Sequence, residues 1–90
     1  MKRLRWTAHA ETNLRERELD RAEVELTVES PDRRIAGRGE RQILVRKYAD
    51  KALRQPMVLC VVAEERAEET IVVTVYRSSR IEKYLPGAAP

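Results

Sequence analysis

The seven residues Met57 to Ala63 are all apolar, in a chain of 90 residues of which 37% are charged. That run is strand-sized and falls well short of the roughly 20 residues of a membrane-spanning helix. A near-continuous apolar stretch reads as a central strand, Met57 to Glu64. Thr70 to Tyr76 is rich in β-branched residues and pairs with it as a hairpin across the acidic turn Glu65 to Glu69. Upstream, Arg41 to Tyr48 is a strand with Ile43 and Val45 on one face and Leu44 and Arg46 on the other. Arg33 to Ala36 is a short strand before the turn Gly37-Arg38-Gly39-Glu40, and Ala49 to Pro56 reads as a polar loop.

The N-terminal third has a different period. Lys2 to Trp6 alternates and reads as a short strand. Thr7 caps a helix opening at Ala8, with Ala10 and Leu14 at helical spacing and an end near Glu18-Leu19. Asp20 and Glu23 form a capping-box-like pair. Ala22, Val24, Leu26 and Val28 alternate with polar residues as a strand would, whereas the cap and the glutamates favour helix; the segment is read as a short helix. Ser30-Pro31-Asp32 ends it, because the residue before proline is pushed out of the α region. Ser78-Ser79 marks a bend, and Ile81 to Leu85 is a short closing segment. The expected architecture is α+β: one or two N-terminal helices packed on a curved antiparallel sheet of about four strands. Residues 1–85 form one domain, and 86–90 a loose tail.

An apolar content of 42% is adequate for one small core. A lone cysteine, Cys60, carries no disulfide framework, and no apolar leader follows the basic N-terminus, so a reducing cytoplasm is expected. Cys60 lies inside the apolar strand and is read as a core residue. One histidine and one cysteine fall short of a zinc set, no carboxylates show calcium-loop spacing, and Gly37-Arg38-Gly39 lacks the form of a phosphate loop. No metal or cofactor is expected.

The net charge is +3, but it is unevenly placed. Arg33, Arg34, Arg38, Arg41, Arg46, Lys47, Lys51 and Arg54 face only Glu40 and Asp50, so that segment is +6 and the rest −3. Such a stretch suits phosphate contact, and it equally suits a solvated basic face. His9, Asn13 and Arg17 climb one helix face, each about 40° from the last. An imidazole and a guanidinium so placed suit phosphate chemistry; a capping or core-edge histidine is the competing reading. Tyr76 ends an apolar strand just before Arg77, Ser78, Ser79 and Arg80, and a sheet-edge tyrosine is the alternative there. Arg80, Lys83 and Tyr84 give the C-terminal segment a cationic, aromatic character.

Trp6-Thr7-x-His9-Ala10, Arg15-x-Arg17, Glu23-Val24 and Ser30-Pro31-Asp32 resemble the opening of a small bacterial family of unassigned function, domain-of-unknown-function family 4258. Thr74-Val75-Tyr76-Arg77-Ser78-Ser79-Arg80-Ile81-Glu82-Lys83-Tyr84-Leu85 resembles its closing motif. Asn13 stands where family members often carry arginine, and Arg80 where many carry lysine. The family is distantly similar to the RelE-type and ParE-type toxin fold, which implies a metal-independent endoribonuclease or toxin-like protein acting on RNA. On that reading the residues singled out above take their roles: His9, Arg17, Tyr76 and Arg80 are the catalytic candidates, with Arg38, Arg41, Arg46, Lys47 and Lys83 holding nucleic acid. A non-catalytic nucleic-acid-binding or protein-interaction module is the alternative, its partner RNA, another nucleic acid, an antitoxin-like protein or a second copy.

Overall fold

The computed structural model describes residues 2–87, so 88–90 of the expected tail lie outside the described residues. The elements are β1 (Arg3–Trp6), α1 (Ala8–Glu16), α2 (Arg21–Glu29), β2 (Arg33–Ala36), β3 (Arg41–Asp50), β4 (Gln55–Glu65), β5 (Glu69–Ser78) and α3 (Ile81–Tyr84). They form an α+β fold on one five-stranded open sheet, ordered β1-β5-β4-β3-β2. The central strand is β4, where the apolar run lies. Leu59, Val61 and Ala63 turn to the helix-covered face, and Val58 and Cys60 to the other; all five are buried. Each fully buried Val or Leu contributes roughly 1.5–3 kcal/mol relative to exposure.

The sheet differs from expectation in two ways. It has five strands, and it is mixed: β1 runs parallel to β5, with Arg3 opposite Glu69 and Trp6 opposite Val72. Parallel strands need a long crossover, and here everything from α1 to β4 lies between the pair. No local signal in a four-residue strand reveals a partner more than sixty residues away. The expected loop 49–56 is also shorter. Pairing continues through Ala49–Pro56 and Asp50–Gln55, leaving a four-residue turn.

Helix α1 starts where Thr7 Oγ1 accepts the Ala10 N–H at 3.0 Å. It ends earlier than expected, with Arg17 as C-cap. Glu18 then enters the left-handed region (φ 51). The Glu18 N–H donates to Arg15 O and the Leu19 N–H to Leu14 O, a Schellman motif whose Leu14–Leu19 pair belongs to the core. Glycine is the usual residue at that left-handed position; here a glutamate takes it, within two residues of the expected end.

Helix α2 begins at Asp20, whose side chain accepts the Ala22 N–H at 2.9 Å. Glu23 does not complete a capping box; its carboxylate binds Arg46. The alternation of 22–28 was misleading because only Val24, Thr27 and Val28, at helical spacing, pack inward, while Leu26 is 46% exposed. The Arg46 guanidinium on β3 also donates to Thr27 Oγ1 at 3.1 Å and Glu23 O at 3.2 Å, which ties α2 to the sheet. On the opposite face, α3 places Ile81, Tyr84 and Leu85 over Val45, Val58 and Cys60. Arg33 Nη1 fastens its end by donating to Tyr84 O at 2.9 Å.

Replacing the fully buried Leu59 by alanine is expected to cost about 2–5 kcal/mol in a urea titration, as large-to-small core changes do. Leu26→Ala on the exposed side of α2 is expected to change stability by no more than about 0.5 kcal/mol. Equal costs at the two positions would overturn this assignment of faces.

Candidate functional site

The bulge in β5 sets the geometry of the site. Val62 pairs with Thr74 and Ala63 with Val72, so Val73 is the extra residue. Beside it β1 ends, and the outer edge of β5 passes to other partners. The Thr7 N–H donates to Val72 O at 3.1 Å and the Thr7 hydroxyl to Val73 O at 3.1 Å. Nearly two turns further along, Asn13 Oδ1 on α1 accepts from the Thr74 hydroxyl and, at 3.4 Å, from the Val75 N–H. Arg17 Nη1 then donates to Val75 O at 2.7 Å. Side chains of α1 thus do for Val75 what a neighbouring strand would do, and they bring the end of α1 against the end of β5.

Glu16, Arg17, Thr74, Tyr76 and Arg77 line a shallow open depression there. Two expected site residues, Arg17 and Tyr76, meet in it. His9 and Arg80 are not among its lining residues. His9 is exposed on α1, eight residues before Arg17, a rise of about 12 Å along the axis. Arg80 is exposed at the N-cap of α3, where its N–H donates to Ser78 Oγ at 3.1 Å.

The Tyr76 ring packs edge-on to Tyr84, with centroids 6.4 Å apart, and lies over Cys60. Burial, followed by the neighbouring Cys60 thiol and Tyr84 phenol, raises its hydroxyl well above the ordinary value of a phenol. It stays neutral and is a poor acid. Burial likewise pushes the Cys60 thiol up to about 11, which removes any nucleophilic role at neutral pH.

Arg77 carries the strongest electrostatic anchor at the site. Its Nη1 donates to Asp50 Oδ2 at 3.3 Å, and Asp50 also accepts from the Tyr48 hydroxyl and from the Leu53 N–H at 2.9 Å. Burial alone would raise the Asp50 carboxyl; the donors Tyr48 and Leu53, with the Arg77 charge, outweigh it and hold the group below its ordinary value. Burial and the adjacent carboxylate raise Tyr48 strongly. Sequence reading passed over Arg77, Asp50 and Tyr48. The available signals were Arg77 inside the closing motif and Asp50 as one of only two acids in the basic stretch.

That basic stretch is not one surface. Arg46 is engaged with α2, Arg33 with α3, and Arg41 with Glu64 at 3.7 Å. Lys47, opposite Val58, belongs to the other face. Arg38 lies exposed in the β2–β3 turn, where Gly39 takes φ 59. The Lys83 ammonium sits 5.5 Å from the centre of the Tyr84 ring.

A larger groove, about 750 Å³, lies at the opposite end of the helix-covered face. Glu25, Glu29 and Glu65 line it against Lys2 and Arg34. Glu65 accepts from Lys2 at 2.7 Å, from Gln42 at 3.2 Å and from Thr70 at 3.1 Å. With more carboxylates than cations, and Lys2 already paired, this groove is a poor place for an anion despite its size.

The sequence profile of one protein family, described as a domain of unknown function (DUF4258), matches residues 6–77. No curated protein matches the chain. No solved structure matches it. Among the described residues no helix is long and apolar enough to cross a membrane.

The Asp50 carboxylate makes the fold acid-sensitive in a defined direction. Its folded value lies below the unfolded one, so its contribution is present above the unfolded value of about 3.9 and is lost as pH falls through the folded value. Asp50→Asn is expected to be less stable than wild type at pH 7, with the gap narrowing below about pH 4. Urea titrations at pH 7, 4 and 3 measure it; a constant gap across the three would remove Asp50 from the acid response.

Proposed function

From the premise that the chain belongs to the DUF4258 family, we propose that it binds the phosphodiester backbone of nucleic acid, RNA first, at the depression between the ends of α1 and β5. The observation that carries this reading is the pair of guanidinium groups held from behind. Arg17 uses Nη1 on Val75 O, and Arg77 uses Nη1 on Asp50. A guanidinium has five N–H donors, so each keeps donors for a phosphoryl oxygen. Side chains already fixed lose less entropy when the anion arrives. Tyr76 forms a wall of the depression, and Lys47 and Lys83, on the α3-covered face, supply outlying charge; Arg38 and Arg41 lie at the far end of β3, beyond the screening length.

A second reading, metal-independent RNA cleavage with a likeness to RelE-type and ParE-type toxins, is favoured by one observation. His9 is exposed on the helix that carries Arg17. A strand lying along α1 would meet both residues. At one phosphate His9 would take the 2′-OH proton as that oxygen attacks phosphorus, forming a 2′,3′-cyclic phosphate while the 5′-oxygen leaves and is protonated by water; Arg17, about 12 Å along the helix, would hold a neighbouring phosphate. Arg80 would bind a flanking phosphate. A protein partner of antitoxin type, or a second copy, would compete for the same depression.

Fluorescence anisotropy with a labelled single-stranded RNA tests the first reading. Affinity is expected to fall steeply with salt, and Arg17→Ala and Arg77→Ala each to flatten the log–log slope by about 0.7. Affinity indifferent to salt would sink it. Cleavage of the same RNA in EDTA tests the second reading. His9→Ala is expected to lower the rate by a factor of roughly 10²–10⁴; a mutant as active as wild type removes His9 from the chemistry.

A further inference from the structure

The Asp50 side chain is buried, with 4% of its surface exposed, and it gathers donors from three places: Tyr48 on its own strand, Leu53 in the β3–β4 turn, and Arg77 on β5. Strand β4 lies between β3 and β5, so the Asp50–Arg77 pair bridges across it on the helix-covered side. The Arg77 side chain is 18% exposed, and the exposed part borders the depression. The turn that supplies Leu53 is closed a second time by the Arg54 N–H donating to Asp50 O at 2.8 Å, with Arg54 in the left-handed region. An arginine free to sample its rotamers would have to be ordered by the ligand, at a cost to affinity. One held by a carboxylate is ordered beforehand.

Resting on the anion-binding reading above, we propose that Asp50 is a positioning residue for that site. It acts through Arg77, fixing the guanidinium that meets the phosphate, while the Tyr48 hydroxyl and the Leu53 N–H orient the carboxylate. The anion hold is thereby set by the β3–β4 turn as well as by β5. Asp50 itself does not touch the ligand.

The test compares wild type, Asp50→Asn, Arg77→Ala, the double variant and Tyr48→Phe by two readouts. The first is the ¹⁵N NMR signal of the Arg77 Nη–H groups, the ones that meet Asp50, assigned by its absence in Arg77→Ala. A resolved, slowly exchanging signal in wild type that is averaged or lost in Asp50→Asn is expected. A signal identical in the two proteins overturns the proposal. The second is affinity for the labelled RNA. Asp50→Asn is expected to weaken it on the order of 3–10-fold, and the double variant to bind no more weakly than Arg77→Ala alone. Losses that multiply would mean that Asp50 acts only through general stability, and would also overturn it. If Asp50→Asn does not fold, Tyr48→Phe carries both readouts in the same direction with a smaller effect. Wild type failing to bind RNA would sink the anion-binding reading and leave the NMR comparison to decide the positioning role.

Discussion

The outer edge of β5 changes partner at Val73, and the arrangement of the molecule follows from how that edge is satisfied. A strand edge exposes a row of N–H and C=O groups that must find partners when covered. Strand β1 serves Glu69 to Val72. Past the bulge, Thr7, Asn13 and Arg17 serve Val72, Val73 and Val75. Helix α1 cannot shift along the sheet without breaking these bonds, so its register is fixed by them as much as by apolar packing. The position of Arg17 is a consequence: the guanidinium that repairs the edge is the one that reaches the depression.

A second consequence concerns how a core this small is held. Besides Val, Leu and Ala, the helix-covered face contains two ionic anchors, Arg46 with Glu23 and Arg77 with Asp50. Buried ion pairs add little net stability against apolar replacements, but breaking one partner leaves a costly uncompensated charge. Their effect is to exclude alternatives. Arg46 allows one seat for α2, because its guanidinium reaches both the Glu23 carbonyl and the Thr27 hydroxyl on a single helix turn. Asp50, held by Arg77, likewise fastens the β3–β4 turn through the Leu53 N–H.

What could be read from the chain tracks how local each signal was. The central strand, its hairpin partner, the Thr7 and Asp20 caps and the burial of Cys60 all rest on neighbouring residues, and the structure has them as read. The parallel β1–β5 pair and the short turn after Asp50 were not legible. The first is a pairing across most of the chain, and the second depends on a carboxylate folding back on Leu53. The candidate site divides the same way. Helical spacing put His9, Asn13 and Arg17 on one face, but only the fold shows that Asn13 and Arg17 are engaged with β5 while His9 is not in the depression.

Net charge is a poor guide to what this molecule attracts. The acid-lined groove is bordered by Gln42 near the start of β3, while Asp50, at its other end, anchors Arg77. Eight strand residues separate those positions, about 26 Å at 3.3 Å each. At physiological ionic strength the screening length is about 8 Å. Repulsion from Glu25, Glu29 and Glu65 is therefore almost spent at the depression, and the excess of +3 summed over the chain is equally irrelevant to a phosphate approaching there. What such an anion meets is local: two guanidinium groups and the nearby Glu16 carboxylate. The basic segment 33–54 contributes less than its sequence suggests, because Arg33 and Arg46 have been drawn into the structure. On the proposed reading, affinity at this surface would be governed by the orientation of two side chains more than by the number of positive charges in the sequence.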